Sequence, residues 1–315
     1  MTKPKNPPRK PAELSVPAML SAFRMHTSTA KLPPLAEIDG LEEKLQTGKG
    51  RSQAGKQGPG GRSIQHDFYV YVDTVVMTVN TSVPAEHAEK RLEVLLMHRP
   101  GAAGDRWALP GGAVLDGEAL EQTARRKVLR EAGIDLTGAQ LHQVGAFGDP
   151  NRDDRWRAIS IAYMALLPHP GEPRPHEHSD GAEWRPFHSL RRNQLEFDHF
   201  DIIEAARRTA ERLLEDTPVA LGFCKPVFTL SDLRTVYEAF QQRKVDPANF
   251  RRKVIATKNF VREVGVQADT SLSRGRPPML YRAGRATELN PPIRFSSARQ
   301  DESGRTGRSS RPGRD

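Results

Sequence analysis

The stretch from Gly111 to Gly133, GGAVLDGEALEQTARRKVLREAG, concentrates residues that could do chemistry. Two glycines end an apolar run, Glu118 follows Gly112 after five residues, and Arg126, Lys127, Arg130 and Glu131 come next. Positions 127, 130 and 131 stand at i, i+3 and i+4, so they share one face of the helix that Gly133 ends. A hard dication such as magnesium wants several oxygen ligands in near-octahedral geometry. Two cations beside the lone Glu131 oppose that, while Glu118 lies further off. A second constellation lies in ANFRRKVIA. Asp246 and Pro247 cap and open that helix. Phe250 and Val254 face inward at i, i+4, which leaves Asn249, Arg251, Arg252 and Lys253 for an outer partner. Arginine can read guanine and asparagine can read adenine through paired hydrogen bonds.

These groups need elements to hold them. Strands are expected at 73–79, 92–98, 141–147, 158–167 and 182–187, from runs of apolar and β-branched residues, with 107–109 leading into the glycine turn. One helix is expected over 118–132. Another is expected over 197–214, with Ile202, Ile203, Ala206, Ala210 and Leu213 at helical spacing. Strand–helix–strand order suits a mixed sheet between helices. Asp198 and His199 read as the start of the second helix and not as a catalytic dyad. The polar loop 149–157 could overhang a pocket. After a Pro-containing linker, Thr229 and Asp232 form a capping box, with Asp in the place of the usual Glu. Leu230, Leu233, Val236, Tyr237 and Phe240 then recur at helical spacing. Two strands, at 260–265 and 279–282, flank a turn rich in Gly, Arg and Pro. Capped helix, basic capped helix and Arg-rich hairpin together read as a winged helix-turn-helix.

The 315 residues leave room for two domains. The net charge of +9 is unevenly spread. Residues 226–282 hold 11 basic and 5 acidic side chains, whereas 67–225 hold 19 basic and 25 acidic ones. A basic module behind an acidic one points to a polyanion partner for the second. Residues 1–66 are rich in Lys, Pro, Gly and Ser and read as a disordered basic extension. One cysteine, Cys224, excludes an intramolecular disulfide and a multi-cysteine zinc site. With neither a signal peptide nor a long apolar run, a cytoplasmic protein without membrane contact is expected.

The first stretch resembles the Nudix box, G-x5-E-x7-R-E-U-x-E-E-x-G-U, where U is a bulky apolar residue. Here it reads Gly112, Glu118, Arg126, Lys127, Val128, Arg130, Glu131, Gly133 and Ile134. Lys127 and Arg130 stand where two of the box's metal-binding glutamates belong. Domain order is similar to that of the Nudix-related transcriptional regulators, a degenerate Nudix domain followed by a winged helix. FTLSDLRTVYEAFQQRKVDPANFRRKV, GRPPMLYR, RPGAAGDRWALPGGAV, AISIAYMALLP and FDHFDII carry that resemblance over residues 68–284.

The resemblance implies an α/β fold: a Nudix α/β/α sandwich over 67–216, a linker over 217–225 and a winged helix-turn-helix over 226–284. Disordered tails, 1–66 and 285–315, flank them. It implies a homodimer on a palindromic operator in double-stranded DNA. It also implies a nucleotide-like or sugar effector, ADP-ribose foremost, and control of NAD or sugar metabolism genes, with repression as the default. No catalytic residue, bound metal or required cofactor is expected. For the effector, Arg99, Arg126, Lys127 and Arg130 are diphosphate partners, alongside Glu118 and Glu131. Arg126 has a competing role in orienting a carboxylate. Gly111 and Gly112 would let backbone approach the ligand closely, and Trp107 either stacks a base or belongs to the core. For DNA, Asn249, Arg251, Arg252 and Lys253 lie in or across the major groove, and Thr229 and Ser231 offer backbone N–H groups to a phosphate. Lys258 contacts phosphate. Arg274 and Arg276 sit on the wing, and Tyr281 touches a phosphate or stays in the core. Two alternatives remain: an active Nudix hydrolase of nucleoside diphosphate derivatives fused to a nucleic-acid-binding module, and a binder of any duplex without regulation.

Overall fold

The computed structural model describes residues 69–99, 105–175, 181–267 and 278–295. The segments 1–66 and 296–315, and with them Arg274 and Arg276 of the wing, lie outside the described residues.

The central strand β1 (Tyr69–Val79) starts four residues earlier than expected. It runs parallel to β6 (Ala158–Leu166), from Tyr69 opposite Ala158 to Met77 opposite Leu166. The other pairings are antiparallel: β2 (Leu92–Arg99), β3 (Arg106–Ala108), β4 (Gly111–Ala113), β5 (Leu141–Phe147) and β7 (Ala182–Pro186) complete a seven-stranded mixed sheet. The glycine pair forms β4 itself, laid on Tyr71–Asp73.

Both faces of β1 are covered, which explains its long apolar run. Val72 shares a cluster with Ala124, and Val76 with Val128 and Ala132, all on α1 (Leu120–Ala132). The alternate residues Val75, Met77 and Val79 pack with Ile202, Ile203, Ala206 and Ala210 of α2 (His199–Asp216). Period-2 strands between period-3.6 helices thus build the expected α/β/α sandwich.

The second module contains β8 (Phe228–Thr229), α3 (Leu230–Gln241), α4 (Pro247–Ala256), β9 (Val261–Gln267) and β10 (Met279–Ala283), with its sheet in the order β8–β10–β9. This is the winged-helix arrangement. The capping box forms as read: Thr229 Oγ1 accepts from Asp232 N–H, and Asp232 accepts from Thr229 N–H at 2.8 Å. Asp246 caps α4 by accepting from Asn249 N–H at 2.7 Å.

Two boundaries differ from expectation. The linker 217–225 is packed, because its VALGF segment is apolar: Pro218–Phe223 is a 3-10 helix with Ala220 and Phe223 buried. Residues 285–295, placed in the tail by composition, form a folded strap. Leu289 and Ile293 donate to the Asp216 and Glu215 carbonyls at the end of α2. Phe295 then stacks on Phe250 of α4 with centroids 5.8 Å apart. Side chains of α2, α3, α4 and the strap belong to one continuous apolar cluster.

Candidate functional site

The box helix α1 begins at Leu120, and Gly133 ends it in the left-handed conformation with φ 67°. Arg126, 1% exposed, clasps Glu118 through Nε at 2.6 Å and Nη2 at 2.7 Å. Thr123 Oγ1 and Leu115 N–H also donate to Glu118. Burial alone would raise the Glu118 pKa, but the bonds from Arg126 and Thr123 outweigh it and hold the carboxyl below its ordinary range. Arg126 is therefore an internal brace, in the carboxylate-orienting role that was one of its two expected ones, and Glu118 has its oxygens committed to protein donors.

Lys127 Nζ lies 2.8 Å from Glu131 Oε1. Gly111 N–H donates to the other oxygen at 3.2 Å, and Arg99 Nη2 stands 3.7 Å from Oε1. The glycines are also required by the protein's own packing. A Cβ on Gly112 would sit 2.5 Å from Lys127 Cε, and one on Gly111 only 2.2 Å from Asp73 Oδ1. The missing side chains make room for the protein's own charged groups. As a donor set for magnesium this fits poorly: the surviving carboxylate already holds an ammonium, and Glu118 holds a guanidinium. Arg130 is half-buried on the same helix. Trp107 is half-buried and packs partly on the core, with the Arg185 guanidinium 4.5 Å from its ring centroid and the His98 ring 5.1 Å away.

Behind the glycine strand lies a polar cluster that the motif did not reveal. Asp73 accepts from Ser160 Oγ at 2.6 Å and from Arg152 Nη2 at 3.3 Å. Arg152 also donates to both oxygens of Asp198. His199 Nδ1 accepts from Leu109 N–H at 2.9 Å, which leaves the Nε2 edge facing Asp73 Oδ1 at 3.6 Å. Burial opposes charge on Asp73, yet His199, Ser160 and Arg152 together hold its pKa below the ordinary value. Asp198 is the N-cap residue of α2 and His199 its first residue, in keeping with the expected helix start. A cleft of about 760 Å³ opens beside this cluster, lined by Arg106, Phe147, Asn151, Arg152, Phe197 and Asp198 among others. The loop expected to overhang a pocket supplies Asn151 and Arg152. The available sequence signal was Asp73, a lone acid opening the apolar run DTVVMTV.

On α4, Arg251 and Arg252 point outward, opposite buried Phe250 and Val254. Arg252 Nη2 donates to Asn249 Oδ1 at 2.9 Å. Lys253 is half-buried with its ammonium over the Phe295 ring, while Lys258 is exposed beyond the helix. Ser231 is exposed at the start of α3. Tyr281 is 1% exposed, and its hydroxyl lies 3.5 Å from Arg251 Nη1. It is a core residue, so of its two expected places the phosphate contact is the one to discard: strand alternation turned the ring inward.

Comparison with known proteins bears on both halves. The NUDIX domain profile matches residues 76–206, and that of the NrtR DNA-binding winged helix domain matches residues 223–283. The ADPR responsive transcriptional repressor NtrR of Acinetobacter baylyi is 30% identical over 213 residues, spanning 66% of this chain and 81% of that protein. The chain belongs to the Nudix-related transcriptional regulators, the NrtR family. The crystal structure of Shewanella oneidensis NrtR is similar at 25% identity and a TM-score of 0.52, over 71% of this chain and all of that one (100%). The ADP-ribose pyrophosphatase of Methanocaldococcus jannaschii is 34% identical over 98 residues, 31% of this chain and 55% of that protein. In this NrtR-family chain the Nudix sheet and the winged helix share one core. The hairpin between β1 and β2 is docked on α3. Gln242 Nε2 donates to the Glu89 carbonyl at 2.8 Å, Lys244 Nζ stands 2.9 Å from Glu89 Oε2, and Arg91 Nη1 donates to Thr235 Oγ1 at 3.1 Å. Among the described residues no helix is long and apolar enough to cross a membrane.

Proposed function

We propose that this chain is a DNA-binding transcriptional repressor whose Nudix domain senses ADP-ribose or a close relative and does not hydrolyse it. One observation favours sensing over hydrolysis: the Lys127 ammonium sits 2.8 Å from Glu131, the carboxylate a metal would need. Metal-assisted hydrolysis requires an ion to polarise phosphate and generate hydroxide. Here fixed cations replace the ion, so a diphosphate is neutralised without being activated. The repressor from Acinetobacter baylyi, similar over 66% of this chain, supports the regulatory reading.

The effector's diphosphate faces Arg99, Lys127 and Arg130 on one side of the glycine strand. Gly111 walls this diphosphate site from the cleft behind it: it donates to Glu131 and packs on Asp73. DNA is read by Asn249, Arg251 and Arg252. Thr229, Ser231, Lys253, Lys258, Arg274 and Arg276 hold phosphates, and two copies of the chain meet a palindromic operator. Strand β1 carries Asp73 near its middle and β2 carries Arg99 at its far end, and both strands lead to the hairpin docked on α3. A ligand that prefers one arrangement of that path shifts DNA affinity by its differential binding.

The second reading, hydrolysis, draws on the similarity to an ADP-ribose pyrophosphatase. Calorimetric titration of the whole chain with ADP-ribose, with and without magnesium, separates the two. Binding that is independent of magnesium, with the ligand recovered intact by chromatography, is expected. Release of AMP at a rate that follows magnesium would establish the hydrolase.

A further inference from the structure

Among the described residues Ile255 is the large apolar side chain most open to solvent, at 53%. It lies on α4, four residues after Arg251 and three after Arg252, so the three share the outward face. The inward face is already served by Phe250 and Val254, both buried. A single exposed aliphatic residue carries no meaning on an ordinary surface. Its surroundings give this one meaning. It follows two outward arginines, with exposed Lys258 beyond it. A face so charged repels a second copy of itself and attracts a polyanion. An isoleucine there gains nothing from a phosphate and can gain only from an apolar spot between the phosphates. In a B-DNA major groove that spot is the C5-methyl group of thymine, which no other base presents.

We propose that Ile255 packs on a thymine methyl and is a specificity-determining residue of the DNA interface. The inference rests on the reading of α4 as the helix that enters the major groove. It divides the labour on that helix. Arg251, which approaches Tyr281 of the wing, and Arg252, which is held by Asn249, supply polar contacts. Ile255 selects against cytosine and against any base lacking the methyl group.

The test uses the full chain and a duplex that it selects from a random-sequence pool. Each thymine of that duplex is replaced singly by deoxyuridine, which removes the methyl group and leaves the pairing unchanged. Anisotropy titrations are run with the wild type and with Ile255→Ala. At one position per half-site, deoxyuridine is expected to weaken the wild type about fourfold, the effect of one buried methyl-sized group. Ile255→Ala is expected to bind the thymine duplex more weakly and to be indifferent to deoxyuridine at that same position. Its binding to unrelated duplex should be unchanged. Wild-type indifference to every replacement overturns the proposal, as does undiminished sensitivity in Ile255→Ala. A change of oligomeric state in Ile255→Ala also overturns it, by assigning the side chain to a contact between copies. Failure to select any duplex removes sequence-specific binding altogether, which is a different failure from selection followed by indifference.

Discussion

Lys127 Nζ and Glu131 Oε1 stand 2.8 Å apart on one face of α1, and the lysine chain fills the space left by Gly112. The ammonium thus takes over the charge that a bound dication would bring. Changing it to carboxylate should reverse the arrangement. Lys127→Glu sets two acids side by side, so the variant is expected to lose about 2–4 kcal/mol of stability in EDTA. With Arg130→Glu added, millimolar magnesium should raise the Tm of the double variant and leave the wild type unmoved. A wild-type Tm that rises with magnesium would contradict the fixed-cation account.

Arg126 and Glu118 form the buried brace beneath the glycine strand. Removing one partner strands the other, and Arg126→Ala is expected to cost about 3–5 kcal/mol in urea unfolding. Glu118→Ala combined with Arg126→Ala should cost clearly less than the sum of the single changes. The sign with pH follows from the lowered carboxyl groups. Glu118 and Asp73 both bind protons more weakly when folded, so their contribution is complete above the ordinary carboxylate range. It is lost as pH falls through the folded pKa values. The part of Tm that rests on these two carboxyls should therefore be flat from about pH 8 to pH 5 and fall below that. A fall that begins above pH 6 would point to histidine instead.

Much of this was legible because pattern and packing agree. The box spacing fixed which α1 residues share a face, and the Thr229–Asp232 and Asp246 caps fixed where the winged helices begin. The residues left open or missed were those whose partners are distant in sequence. Whether Arg126 meets Glu118 or a ligand depends on a loop folding back eight residues. Whether Gly112 faces ligand or Lys127 depends on the β4–α1 packing. The Asp73–Arg152–Asp198 cluster joins three segments, and no local period announces such a meeting. Residues 285–295 looked like tail because Pro and polar residues dominate them. Their anchoring joins backbone hydrogen bonds to the end of α2 with three spaced apolar side chains, Leu289, Ile293 and Phe295, which overall composition does not reveal.

The seam between the β1–β2 hairpin and α3 should carry the coupling. Arg91→Ala with Lys244→Ala removes the contacts to Thr235 and Glu89. The double variant is expected to bind ADP-ribose as the wild type does while its operator affinity responds less. The loss is expected to fall within the usual coupling range of about 1–3 kcal/mol. Full retention of the response would place the coupling elsewhere, with the strap 285–295 as the next segment to cut.

Cys224 is 8% exposed, and burial pushes its thiol up to about 12. The thiolate is the reactive form, so iodoacetamide at pH 8 should leave the native protein unmodified by mass spectrometry and label it promptly in urea. Rapid native labelling would mean that the packed segment 218–224 opens readily.

The most direct measurement is the affinity of the full chain for its selected operator, titrated with and without ADP-ribose and set against an unrelated duplex. Tight binding to the operator alone, weakened at least tenfold by ADP-ribose and abolished in specificity by Arg251→Ala with Arg252→Ala, is the expected result. Equal affinity for operator and unrelated duplex, or an operator affinity that ADP-ribose leaves unchanged while calorimetry shows it bound, would contradict it.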